Sequence, residues 1–184
     1  MISIKKILVP IDFSTLSVPS IGYAGSLAKD HHAEIILLHV IQPETLKQHF
    51  APGYGQSLPL SSDTPMNVAH EAMVENIFES KKQLVLGLLD QTMGQDFRNM
   101  VKIRALVKLG KVADEIIAAA KEERCDLIVM AANGSRRSRW FGARITERVV
   151  RHAPCPLLSM QPSAEVRTDK DERLQIKFID QWAA

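Results

Sequence analysis

Three short runs are apolar almost throughout: KILVPI at 6–11, EIILLHVI at 34–41 and DLIVMA at 126–131. Successive side chains of a strand point to opposite faces, so a run apolar on both parities must be covered on both sides. Their brevity and their content of Ile and Val predict central strands of a parallel sheet. A fourth run, VKIRALVKL at 101–109, alternates instead. Val101, Ile103, Ala105 and Val107 share one parity, while Lys102, Arg104 and Lys108 fall largely on the other, as suits an edge strand. A fifth, PLLSM at 156–160, opens with proline, which belongs at a strand start or on an edge.

Between these runs the apolar period lengthens to that of a helix. Val18, Ile21, Ala24 and Leu27 share a face over 17–28, with Pro19 suited to a first turn. A longer amphipathic pattern over 67–93 passes through Met73, Ile77, Leu84 and Leu88. VADEIIAAAKEE at 112–123 is rich in strong helix formers, and ARITERVVRHA at 143–153 places Ile145, Val149 and His152 on one side. The order βαβαβαβαβ predicts an open, doubly wound α/β sheet with its ligand crevice at the carboxyl ends of the strands, where the strand order reverses. Two segments stand outside this pattern. Residues 43–65 form a turn-rich connection longer than most, and the tail 162–184 is charged at first and then carries Leu174, Ile176, Phe178, Ile179 and Trp182.

With 184 residues and 46% apolar content, one domain with additional chain is expected. The formal charge of +2 gives no reason to expect a specific nucleic-acid partner. Cys125 and Cys155 match no zinc or CxxC spacing and read as buried thiols of a reducing compartment. The amino-terminal residues lack a signal-peptide pattern, and no apolar run has the length of a membrane span, so a cytoplasmic protein away from membranes is expected.

The strand ends supply the candidate chemistry. Asp12 and Ser14 follow the first strand, Val40 closes the second, Gly110 follows the alternating strand, and the segment 131–142 follows the fourth. Asp12 suits either a ribose hydroxyl or the turn into the next helix. A helix opening near Gly142 would aim free N–H groups and a positive dipole end at the crevice. Arg136, Arg137, Arg139, Arg144, Arg148 and Arg151 crowd this region and suit either phosphate or a solvated helix face. His39, within a strand, reads as a satisfied structural histidine. The chain carries no Walker lysine motif, GxGxxG after a strand, GxSxG elbow or HExxH, no nucleophile pairs with a base, and no metal set is discernible. A non-enzyme is expected.

KKILVPIDFS, LLHVI, LGKVADEII and ERVVRHAPCPLL together resemble the universal stress protein (UspA-like) family, over nearly the whole of 5–160. The resemblance implies a five-stranded parallel sheet of order 3-2-1-4-5, of the Rossmann-like, adenine-nucleotide alpha-hydrolase-like kind. It implies a stress protein domain over 1–161 with an insert at 43–65 and a carboxyl-terminal extension at 162–184. It also implies a homodimer through Leu157–Met160, and ATP, ADP or AMP with Mg²⁺ as ligand. The implied nucleotide-binding residues are Pro10, Ile11, Asp12, Val40, Gly110, Met130, Ala131, Asn133, Gly134, Arg136, Arg139, Gly142, Ala143 and Arg144.

Nucleotide-binding members carry GxxG, nine residues, then Gly followed by Ser or Thr. Here Ala131 replaces the first glycine, seven residues separate Gly134 from Gly142, and Ala143 replaces the hydroxyl residue. Two functions therefore stand side by side. One is a cytoplasmic stress-response regulator that binds adenine nucleotide; the other is a dimeric module that works without nucleotide and meets protein partners through 43–65 and the tail.

Overall fold

The computed structural model describes residues 3–14, 17–44, 66–131 and 143–160. Five parallel strands form one sheet in the order β3-β2-β1-β4-β5. They are β1 (Lys6–Pro10), β2 (Glu34–Ile41), β3 (Ile103–Leu109), β4 (Leu127–Ala131) and β5 (Leu157–Met160). The helices are α1 (Val18–His31), α2 (Met66–Met93), α3 (Gln95–Met100), α4 (Val112–Glu122) and α5 (Ala143–His152). The alternating run lies at one edge and the proline-led run at the other, as their patterns require.

Continuous apolarity in the central strands has the anticipated cause, for each strand feeds two cores. On one face Ile7, Val9, Ile11, Ile35, Leu37 and Val129 pack with α1 and with Val85 and Leu89 of α2. On the other, Leu8, Ile36, Leu38, Val40, Ile128 and Met130 pack with Ile116, Ala119 and Ala120 of α4 and Val149 of α5. Residues of opposite parity separate cleanly into the two layers.

Two expectations need correction. The buried stripe of α2 runs through Val85 and Leu89, whereas Leu84 is exposed and Leu88 only half-buried. In LVLGLL the apolar residues encircle the helix, so the period alone does not choose the face. His152 is likewise exposed, its Nδ1 3.0 Å from the Arg148 carbonyl oxygen, because it occupies the last turn of α5. The short helix α3 went unpredicted, since its six residues are too few to display a period. It follows Gly94, at φ 77°, and tucks Phe97 and Val101 into the first core.

Polar groups close the amino-terminal end of the sheet. One carboxylate oxygen of Asp126, just before β4, accepts the backbone N–H groups of Lys5 at 2.8 Å and Lys6 at 2.9 Å. The Asp126 amide donates in turn to the Lys6 carbonyl at 2.9 Å. Beside them Arg104 of β3 bridges Glu34 of β2 and Glu123 after α4. These contacts fix where β1 begins relative to β4, and through the rigid strand, where β1 ends. Asp126→Ala removes two charge-assisted bonds at an exposed position and should lower unfolding stability by about 1–2 kcal/mol in urea denaturation. An unchanged urea midpoint would show that neighbouring contacts alone hold the start of β1.

Candidate functional site

Strand order reverses between β1 and β4: from β1 the chain builds outward through β2 to β3, and then returns to lay β4 and β5 on the other side. Connections leave a parallel sheet in opposite directions at such a point, and a crevice opens beyond the strand ends. Pro10, Ile11 and Asp12 stand at the end of β1, and Met130 and Ala131 at the end of β4. The side chains of Pro10, Ile11, Val40, Met130 and Ala131 are buried. At these five positions it is main chain rather than side chain that borders the strand ends, and the amide and carbonyl of Ile11 are taken up by Leu38 and His39.

Asp12 is half-buried and built into the turn. Its Oδ1 accepts the Ser14 amide at 3.0 Å and the Ser14 hydroxyl at 2.5 Å. An aspartate that accepts from the backbone two residues on makes a compact turn of its own. Asp12 does not cap α1, whose N-cap residue Ser17 instead donates its hydroxyl to the Ser14 carbonyl at 2.8 Å. Between them Phe13 adopts φ 59°, the left-handed conformation that bulky residues avoid. The spacing of Asp12 and Ser14 in DFS signals the turn, but nothing in the sequence discloses the conformation of Phe13.

Behind this turn lies His39 of β2, 4% exposed, with Nδ1 3.1 Å from the Ile11 carbonyl oxygen. A carbonyl oxygen only accepts, so Nδ1 carries the proton. The imidazole and Phe13 rings meet at 4.4 Å between centroids, and the Lys81 ammonium of α2 lies 5.9 Å from the Phe13 centroid. Burial pushes the His39 pKa down to about 4 and Lys81 acts in the same direction, while the bond to Ile11 opposes both. The structural reading of this histidine holds.

Gly110 lies at the β3 edge of the sheet, away from the strand-order reversal. It follows β3 at the edge, across β2 from the gap between β1 and β4, and its amide donates to the Ile41 carbonyl at 2.9 Å. Its φ of 156° is one that side-chain-bearing residues rarely adopt, and the Glu115 side chain, 2.5 Å from where a Cβ would lie, would have to move aside for one. Asn133, Gly134, Arg136, Arg137, Arg139 and Gly142 lie outside the described residues, as do 45–65 and 161–184.

Ala143 opens α5, and Arg144 follows it, exposed. The later arginines of this helix are engaged elsewhere: Arg148 pairs with Asp114 of α4 at 2.7 Å, and Arg151 with Glu147 at 2.6 Å. They belong to the solvated face of the helix. Cys125 and Cys155 are free thiols packed in the second core, and burial pushes Cys125 up to about 12. Among the described residues no three His, Cys, Asp or Glu side chains gather as a metal site, and no helix is long and apolar enough to cross a membrane.

Comparison with known proteins agrees with this architecture. Residues 3–160 match the model of the universal stress protein family. The chain is 28% identical over 155 residues to Universal stress protein MJ0531 of Methanocaldococcus jannaschii, spanning 84% of this chain and 80% of that relative. The solved structure of MJ0577 from the same organism superposes with a TM-score of 0.64 at 21% identity, covering 89% of this chain and all of that one. A universal stress protein solved in complex with cAMP shares the fold at TM-score 0.52 and 16% identity, over 88% of this chain and 100% of its own.

A base whose folded pKa lies below its unfolded value binds fewer protons when folded, so stability rises with pH between the two. For His39 that window runs from about 4 up to the ordinary 6.5. Its contribution is complete above the window and lost as pH falls through it, to a limit of about 3 kcal/mol. Urea denaturation between pH 7 and pH 4 should therefore show a shallower loss for His39→Phe than for the unaltered chain. Parallel slopes would mean that His39 titrates alike in both states.

Proposed function

The chain belongs to the universal stress protein family, and on that basis we propose that it binds an adenine nucleotide at the ends of β1 and β4 and acts as a non-catalytic regulator of the stress response in the cytoplasm. The observation that carries this reading is the placement of Asp12, a half-buried carboxylate at the strand-order reversal, tied by Ser14 into a turn. A carboxylate accepts from several donors at once and so suits the hydroxyls of a ribose. The side chains of Pro10, Ile11 and Val40 are buried, so on this reading the base lies against main chain at the strand ends, where the Ile11 amide and carbonyl are already paired with Leu38 and His39. The occurrence of cAMP on a protein of this fold supports the ligand class.

On this reading ATP, ADP or AMP enters with its phosphates toward the segment 132–142 and the start of α5, accompanied by Mg²⁺ where the phosphates recruit it. Asn133, Gly134, Arg136, Arg139 and Gly142 would line the phosphates together with Arg144. The two-residue shortening before Gly142 reduces the backbone available there, and the arginines supply charge in its place. Gly110 takes part through the shape of the β3 end, at a distance from the reversal point. Residues 1–161 form the binding unit, with 43–65 and 162–184 as additions that meet protein partners.

A second reading, assembly without nucleotide, draws on one feature. The edge strand β5 bears Leu158, 38% exposed, and among the described residues its outer edge pairs with no other strand, which lets a second copy of the chain add there. We assign homodimer formation to this edge. Leu158→Lys should convert the dimer to monomer in analytical ultracentrifugation, while an unchanged sedimentation coefficient would place the dimer contact elsewhere.

Calorimetric titration with ATP, ADP and AMP, with and without Mg²⁺, tests the nucleotide directly. Saturable binding is expected, weakened about tenfold or more by Asp12→Ala with the melting temperature preserved. The chain cut after Gln161 should bind like the full chain. If the unaltered protein shows no saturation at millimolar nucleotide, the assembly reading replaces this one.

A further inference from the structure

We infer that His39 is a positioning residue for the nucleotide crevice: from within β2 it holds both neighbours of Asp12, the Ile11 carbonyl through a hydrogen bond and the Phe13 ring through an aromatic contact. The inference rests on the reading of the crevice given above and assigns a device that sets its geometry. Asp12 lies between two residues that the same imidazole touches. The turn cannot swing as a unit without breaking one contact or the other.

Three features show that this contact constrains the turn. The His39 side chain is almost fully buried, so its N–H has no access to bulk water and the Ile11 carbonyl becomes a required partner. The Phe13 backbone stands at φ 59°, a conformation that persists only where the surroundings impose it. The ring that meets Phe13 at 4.4 Å and 49° belongs to a strand paired on both sides, which holds its backbone in place. Lys81 adds a cation 5.9 Å from the Phe13 centroid, which brings α2 into contact with the same turn. Burial holds the His39 pKa at about 4, so the imidazole is neutral at physiological pH and holds the turn by its Nδ1–H and its ring face rather than by charge.

Two substitutions separate these contributions. His39→Phe keeps the ring and removes the donor, whereas His39→Asn places an amide N–H near the position of Nδ1 and gives up most of the ring. In His39→Phe the Ser14 amide, which donates to Asp12, should exchange with solvent about tenfold faster by NMR. The Val129 amide in β4 should be unaffected, and His39→Asn should return the Ser14 rate to within about threefold of the original. Affinity for ATP should follow the same order.

Combining His39→Phe with Asp12→Ala supplies the decisive comparison. If His39 acts by placing Asp12, His39→Phe should cost no further ATP affinity once Asp12 is gone. An equal loss in both backgrounds, or a Ser14 exchange rate unchanged in His39→Phe, would overturn the inference. Absence of ATP binding by the unaltered chain would sink the crevice reading, and Ser14 exchange would then decide the role of His39 by itself. Should His39→Phe fail to fold, Phe13→Ala removes the same ring contact while keeping a Cβ at the left-handed position, and must speed Ser14 exchange likewise.

Discussion

The chain leaves the sheet at Ile11, in the middle of the sheet between β2 and β4, and the polar groups of that exit must be satisfied where the residue itself is fully buried. Its amide donates to the Leu38 carbonyl at 2.8 Å, and its carbonyl accepts from His39. A buried, unpaired peptide group costs on the order of 1–3 kcal/mol, so the exit tolerates little variation. Asp12, Phe13 and Ser14 inherit their positions from it. The edge strand β3 ends under weaker constraint, where Gly110 hands one N–H to Ile41 and then turns away.

On the proposed reading, the two ends of the sheet divide between stability and binding. At the amino-terminal end Asp126, Glu34, Arg104 and Glu123 satisfy one another and the backbone, leaving a surface closed by ion pairs. At the carboxyl-terminal end the central strands finish in buried apolar residues, and the chain passes over them in turns. Both faces of the sheet are occupied by helices, so an edge or an end is the place left for a partner. On the same reading, the edge at β5 takes another protein chain, and the gap beyond β1 and β4 takes a small molecule.

Much of the fold was legible in the sequence because burial on two faces leaves a plain mark. KILVPI, EIILLHVI and DLIVMA have no polar parity, and VKIRALVKL has one, which separates centre from edge without further information. What escaped was whatever depends on a single conformation or a single angle. Residues 95–100 are too few to show a period, and LVLGLL is apolar on every side, so its buried stripe was displaced by one position. In the site, Asp12 and Ser14 were legible from their spacing. Phe13 was not, because left-handed φ in a bulky residue is imposed by the fold around it, and no local residue type announces it.

Recognition by backbone has a consequence for how such a crevice treats charge. On the proposed reading, the main chain around Pro10, Ile11, Val40, Met130 and Ala131 follows the outline of a base, and its peptide groups carry no net charge. Discrimination among phosphate states would then fall to the segment 132–142 and the start of α5. Its first turn contains no acidic residue and carries Arg144, although a helix start is already the positive end of the dipole. Arg148 and Arg151 have carboxylates of their own, farther along the helix. On the proposed reading, a bound phosphate provides the negative charge that the start of α5 lacks, and the unfavourable meeting of arginine and dipole becomes a shared contact with the ligand.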